Sequence, residues 1–195
     1  STIDHEQALA LGRILTSRDE HEEAALAFRL ASTARPEGSA EAQLGLGLAL
    51  RSSGRPTDAI EACTEAERLD PTLAAAHACL GSLLSEAGDG VRAVTAFRRA
   101  GALEPNSAEA AGRLGAALVG VGEADEATTV LARALAMGGD PLAAYNLGVA
   151  WQLKGETEKS TEAFARSVEL QSTLLAPRVN LGVQLLRNGH LDEAE

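Results

Sequence analysis

The stretch LGLGLALRSSG, residues 44–54, raises a choice between a nucleotide-binding loop and a helix. A dinucleotide-binding loop needs a third glycine, a preceding strand and an acidic residue about 20 positions later. Leu50 stands where the third glycine would have to be, and residues 39–43, SAEAQ, are typical of a helix start with Ser39 as N-cap. The sequence contains no GxxxxGK[ST] motif either. The stretch is therefore interpreted as a helix, and its glycines need another explanation.

A Leu-Gly pair recurs along the whole chain at steps of 35, 34, 34, 33 and 34 residues. The pairs are Leu11-Gly12, Leu46-Gly47, Leu80-Gly81, Leu114-Gly115, Leu147-Gly148 and Leu181-Gly182. A small residue follows 12 positions after each glycine, at Ala24, Ala59, Ala93, Ala127, Ser160 and Ala194. Four positions further on stand Phe28, Cys63, Phe97, Leu131 and Phe164. Such phased columns predict a repeat of two helices.

Turn and cap residues keep the same register. A turn glycine separates the two helices at Gly54, Gly88, Gly122, Gly155 and Gly189, whereas the first repeat has Asp19. Prolines follow the second helix at Pro36, Pro71 and Pro105. Asp140 before Pro141 predicts an N-cap followed by proline at the first helical position.

These columns resemble the tetratricopeptide repeat (TPR) family, whose unit is a 34-residue helix-turn-helix. The resemblance implies an all-α fold, a right-handed α-solenoid of stacked antiparallel helix pairs. We expect a single array over residues 1–195, about five and a half repeats at 5–39, 40–73, 74–107, 108–140, 141–174 and 175–195. The last repeat is incomplete, which predicts a fragment of a longer protein. The large aromatic expected three residues before the Leu column is replaced by smaller or polar residues.

The repeat also explains Gly47. We expect the Leu-Gly glycine to face the small residue twelve positions later across the helix pair, so that the helix axes approach closely. Gly47→Leu should then destabilise the fold by overpacking. Gly45 lies outside this column and faces the groove side of the first helix, where it is either a local weakness of the helix or a site of close approach.

Composition narrows the class of partner and the compartment. The formal net charge of −11 argues against nucleic acid and against an anionic membrane surface as partners. The sequence contains no run of 18 consecutive apolar residues, so it predicts no membrane-spanning segment. Cys63 occupies a core column and is expected to be a small buried residue. The sequence has no CxxC motif, and a reducing cytoplasm is the expected compartment. The Arg-rich, Ala-rich composition suggests a bacterial source.

No residue pattern predicts catalysis, a metal site or a cofactor. The stretches HEQAL at His5 and HEEAA at His21 resemble a zinc-protease helix, but Leu9 and Ala25 replace the second histidine. His77 falls in a partly buried column and is expected to be packed rather than to bind a ligand. The chain is therefore predicted not to be an enzyme.

In the TPR family the first helices line a concave groove. We number the first helix of each repeat so that the leucine of its Leu-Gly pair is position 7. Positions 2, 5, 6, 9, 12 and 13 should then face the groove, and the residues at these positions include Leu9, Gly45 and Cys79. The candidate partner-binding residues are Arg13, Leu48, Arg51, Arg113, Tyr145, Asn146, Val149, Gln152, Asn180, Val183 and Arg187. They predict an adaptor or scaffold whose groove binds a protein segment with apolar anchors and acidic flanks. Equally, these arginines could only balance neighbouring acids.

Two other functions stay open at this stage. Asn146 and Asn180 share position 6, where the TPR arrays of protein O-linked glycosyltransferases carry an asparagine ladder, so the chain could be the substrate-selecting arm of a larger enzyme. A self-assembling scaffold is the other alternative. Exposed leucines of the incomplete sixth repeat, Leu181, Leu185 and Leu186, would drive the association. The lysine and asparagine clamp of chaperone-binding TPR proteins does not occur in this sequence.

Overall fold

The computed structural model of the chain describes residues 4–35 and 37–187, with the Arg187 side chain excepted. Within these residues the chain forms eleven α-helices and no strand, which confirms the predicted all-α class. The helices are α1 (His5–Ser17), α2 (His21–Thr33), α3 (Ala40–Ser52), α4 (Pro56–Leu69), α5 (Ala74–Glu86), α6 (Gly90–Leu103), α7 (Ala108–Val121), α8 (Ala124–Ala136), α9 (Pro141–Leu153), α10 (Thr157–Leu170) and α11 (Leu175–Arg187). Pro36, Gly189 and Ala194, which the repeat pattern included, lie outside the described residues.

Short polar side chains start four of the first helices. The side chains of Asp4, Ser39, Ser107 and Asp140 each accept a hydrogen bond from a backbone N–H in the first turn of the helix that follows. These bonds satisfy donors that have no partner inside the helix. The predicted N-caps Ser39 and Asp140 are thereby confirmed.

The turn inside a repeat uses left-handed backbone. Gly54, Gly88, Gly122 and Gly155 have φ values of 73°, 81°, 81° and 76°, which glycine adopts at no steric cost. Asp19 stands at the equivalent place in the first repeat with φ 60°. The first repeat thus makes the same turn with a residue for which this conformation is sterically unfavourable.

The chain divides into two compact units, residues 1–103 and 104–195. In the first unit, α1–α2, α3–α4 and α5–α6 are antiparallel pairs; α2 packs on α3, and α4 packs on α5. The small residues Ala24, Ala59 and Ala93 of the second helices are completely buried. In the second unit, α7–α8 and α9–α10 pair in the same way, and α8 packs on α9 and α10 on α11.

The Leu-Gly glycines face the larger column one turn later as well as the predicted small column. A Cβ atom at Gly47 would overlap the Cys63 sulfur and would lie 3.2 Å from the Ala59 carbonyl oxygen. A Cβ atom at Gly81, Gly115 or Gly148 would likewise overlap the side chain at the equivalent position of its repeat, which is Phe97, Leu131 or Phe164 respectively. The small residues do face these glycines as expected, since the Ser160 hydroxyl also donates to the Gly148 carbonyl. The larger side chain one turn later reaches across the helix pair as well, a contact that the repeat pattern did not predict. The Ala59 carbonyl remains the nearest backbone contact of Gly47.

Candidate functional site

Three of the four predicted arginines lie on exposed first-helix surfaces, and each of these is already paired with a carboxylate. The side chain of the fourth, Arg187, lies outside the described residues. In the first unit Arg13 donates to Glu41 and Arg51 donates to Glu86, so each ion pair joins neighbouring first helices. In the second unit Arg113 donates to Glu109 one turn earlier on α7. These arginine side chains are at least 40% exposed. Exposed pairs of this kind are worth about 0–1 kcal/mol each, so a carboxylate from a partner can replace the internal one at small cost.

A cleft of about 530 Å³ opens on the first-helix side of the second unit. It brings Arg113 of α7 and Asn146 of α9 to one site. Its other lining residues are Ala108, Glu109, Gly112, Ala116, Gly138, Gly139, Asp140, Leu142 and Ala143. The small side chains on α7 leave the cleft open, so a peptide backbone has room to approach the helix.

Leu142 gives this cleft an apolar contact that the sequence reasoning did not name. Its side chain is 54% exposed, although leucine is usually buried. Leu142 is the second residue of α9 and stands at position 2, one of the positions assigned to the first-helix surface. The signal was therefore in the sequence, but the residue was left out of the candidate set.

The aromatic and amide candidates of the second unit form a polar contact. The Asn180 amide donates to the Tyr145 hydroxyl across 3.5 Å, joining α11 to α9. The Tyr145 ring packs on Phe164, with ring centroids 5.8 Å apart. Val149 is half-buried and Gln152 is exposed. Val183 is 41% exposed, as is typical of a residue that borders a surface rather than a core.

Three residues assigned to the groove lie elsewhere. Leu9 is only 3% exposed and Cys79 only 4%, so both belong to the core. A Cβ atom at Gly45 would lie 2.5 Å from the Phe28 ring, because α2 packs on α3 at this point. In the first unit, therefore, the small residues at position 6, Gly45 and Cys79, face the second helix of the preceding repeat. Leu48, three residues after Gly45, is 44% exposed, as predicted.

Cys63 of α4 and Cys79 of α5 form a disulfide, with Cα atoms 6.2 Å apart. Cys63 is completely buried, as expected, but it is bonded to Cys79 rather than a free thiol. The physical reason is the same packing: position 6 of α5 faces the large column of the preceding second helix. Disulfides persist in oxidising compartments and are rare in the cytosol, so this bond does not support the predicted cytoplasmic location.

A second cavity, about 690 Å³, lies in the first unit between α4 and α6 beside His77. His77 is buried, as predicted; its Nε2 lies 2.9 Å from the Pro71 carbonyl oxygen and its Nδ1 lies 3.5 Å from a Glu67 carboxylate oxygen. Arg99 donates to the same carboxylate. Two side-chain hydrogen bonds from the neighbouring Arg68 guanidinium hold the pKa of Glu65 below its usual value. These groups build a polar second-helix surface, in which the buried His77 Nδ1 makes no hydrogen bond to any described residue.

Two other kinds of site do not occur in the described part of the chain. No group of three or more His, Cys, Asp or Glu residues there is placed to hold a metal ion. None of the described helices is both long and apolar enough to cross a membrane.

The stacked helix pairs define a helical repeat protein. Two tetratricopeptide repeat profiles match the chain, over residues 9–74 and 84–151. The chain belongs to the tetratricopeptide repeat family and is a protein-interaction repeat module. No curated protein matches its sequence.

Solved TPR structures share this fold. The crystal structure of MamA superposes with a TM-score of 0.76 at 27% identity, covering 86% of this chain and 92% of MamA. YrrB, described as a TPR protein with an unusual peptide-binding site, gives a TM-score of 0.77 at 24% identity over 89% of this chain and 90% of YrrB. PilF of Pseudomonas aeruginosa gives 0.82 at 18% identity over 97% of this chain and 86% of PilF.

Proposed function

We propose that this chain is an adaptor that binds an extended protein segment on its first-helix surfaces, and that the cleft around Arg113 is the principal contact. One observation carries the proposal. The cleft places a guanidinium, a carboxamide and an exposed leucine around a floor of small residues within one compact unit. YrrB is a protein of this fold described as having a peptide-binding site, but the choice of residues rests on this chain.

Each of these groups offers a distinct contact to a peptide. The Arg113 guanidinium can hold a carboxylate in a bidentate pair once Glu109 is displaced. The Asn146 amide can donate to and accept from an extended backbone. The exposed part of Leu142 can cover an apolar side chain. The preferred segment therefore has an apolar residue next to an acidic one.

The other predicted arginines extend the same chemistry on the first unit. Arg13 and Arg51 are exposed and form weak pairs that a ligand carboxylate can replace. Leu48 lies on α3, the helix that carries Arg51, and is also exposed. We expect these residues to add affinity for longer segments.

Selection of random peptides displayed on phage tests the proposal, followed by affinity measurements on the selected sequences. Arg113→Gln should weaken binding about tenfold or more, since loss of a charge-assisted pair costs about 1.5–3 kcal/mol. Arg166→Gln is the matched control, because Arg166 of α10 also pairs with an exposed carboxylate, that of Glu169, in the same unit. Peptides without acidic residues, or equal losses in both variants, would contradict the proposed site.

A further inference from the structure

The second helix of the first repeat carries two exposed leucines where the other repeats carry polar residues. Leu26 is 60% exposed and Leu30 is 53% exposed. They stand 14 and 18 positions after the Leu-Gly glycine Gly12. The equivalent pairs are Glu61 and Glu65, Thr95 and Arg99, Thr129 and Arg133, and Glu162 and Arg166. Each of these four equivalent pairs contains at least one charged residue. Packing within the repeat therefore does not require leucine at these two positions.

The two leucines are neighbours on one face of α2. Residues four apart lie one above the other along a helix. The buried side of the same helix is formed by Ala24, Ala27, Phe28 and Ala31 and packs toward α1 and α3. Leu26 and Leu30, which we name the α2 apolar pair, therefore point away from the core of their unit.

The charges beside this pair are arranged for a second copy of the same helix. Glu22 precedes Leu26 by four residues and Arg29 follows it by three. Suppose that two α2 helices pack antiparallel, with the two-fold axis at Leu26. Glu22 of one copy then lies beside Arg29 of the other, because their heights along the helix axis differ by only one residue, about 1.5 Å. The two side chains also lie on the same flank of the contact, and the two-fold symmetry produces this pairing twice.

The present partners of these two charges leave them available. Among the described residues Arg29 makes no ion pair, and Glu22 has only a long 3.8 Å contact with Arg55. The Glu22 side chain is 61% exposed. Both charges can therefore turn toward a partner without losing a strong internal contact.

We propose that the α2 apolar pair is a self-association surface, on which two copies of this chain pack antiparallel through α2. The Leu26 side chains of the two copies meet at the centre of the contact, and each Leu30 lies one turn away, at the level of Glu22 of the other copy. The two Glu22–Arg29 pairs at its rim fix the antiparallel register, as charges do at protein interfaces. This surface is formed by the second helix of the first repeat, whereas the proposed peptide cleft is formed by α7 and α9.

Sedimentation velocity over a series of concentrations tests the proposal on the full chain. The wild type should form a reversible dimer. Leu26→Glu with Leu30→Arg copies the residues of the fifth repeat, Glu162 and Arg166, so the helix should fold unchanged by circular dichroism. This double variant should raise the dimer dissociation constant at least about tenfold, as for truncation of interface anchor residues. Val91→Glu, at a position 73% exposed on α6, is the control and should leave the dimer intact.

Charge reversal then separates a second copy from any other occupant. Arg29→Glu alone should weaken the dimer, because it places two glutamate side chains of opposite copies side by side. Adding Glu22→Arg in the same chain should restore the dimer, since the ion pair is re-formed with the signs exchanged. A wild type that stays monomeric at every concentration, or a dimer unaffected by the Leu26 and Leu30 changes, would overturn the proposal.

Discussion

Gly47 and Gly101 provide a paired test of the packing that holds the repeats together. Both lie inside helices, so replacing either by alanine gains about 0.5–1 kcal/mol of helix propensity. They differ in surroundings. A Cβ atom at Gly47 would overlap the Cys63 sulfur, which the disulfide holds in place, whereas at Gly101 it would meet no atom within 4 Å.

The magnitude follows from this difference. Overpacking a well-packed core costs about 1–3 kcal/mol, and the propensity gain is common to both variants and cancels between them. Gly101→Ala should therefore stabilise the chain, and Gly47→Ala should be less stable than Gly101→Ala by about 1–3 kcal/mol. In a chain of this size that corresponds to a difference in melting temperature of about 2–12 °C. Gly47→Leu should fall lower still.

Thermal unfolding followed by circular dichroism at the helix band is the assay, with both variants at one protein concentration. Equal melting temperatures for Gly47→Ala and Gly101→Ala would refute the reasoning, because the steric contact at Gly47 would then carry no energy.

Three further predictions concern single features of the fold. Reducing the Cys63–Cys79 disulfide, whose cysteines are 16 positions apart, should cost about 3 kcal/mol and lower the melting temperature; a double alanine variant should be insensitive to reductant, and an equal response in both would contradict the bond's role. Phe164→Ala should cost about 3–5 kcal/mol, because the ring is completely buried and packs on Tyr145, and denaturant unfolding would show whether it does. Asp19→Gly should stabilise the chain by up to about 1 kcal/mol, since it relieves a left-handed backbone conformation; a lower melting temperature would contradict this account of the turn.

The local parts of the fold could be predicted from the sequence because their causes are local. Ser39 and Asp140 satisfy backbone donors within three residues of themselves, and Gly54 sets its own turn through φ. These residues recur in phase, so one repeat explains the others. The family and the helix-pair architecture followed from that periodicity.

Contacts between neighbouring repeats were harder to predict, because they depend on how far one helix pair is rotated against the next. Position 6 was assigned wholly to the groove. At Gly45 and Cys79 it instead faces Phe28 and Cys63 of the preceding second helix. A long polar residue at the same position, such as Arg113, reaches solvent. A surface assignment made by column alone misses this difference.

The sequence located the candidate cleft only in part. Arg113 and Asn146 were named from their column and do line one cleft. The turn before α9, with Gly138 and Gly139, forms another wall of this cleft, but it lies outside the helical columns. Such a loop contribution has no periodic signal, so only the folded arrangement shows it.

The central claim, that the second unit binds a protein segment through the Arg113 cleft, is tested most directly by nuclear magnetic resonance. A ¹⁵N-labelled chain would be titrated with a peptide selected as above, and amide shift changes would be mapped on the sequence. If the cleft is the binding site, the largest changes will occur in residues 108–116 and 138–146, with little change in α8 and α10. Changes concentrated in α8 and α10 instead would place binding on the second helices and contradict the claim.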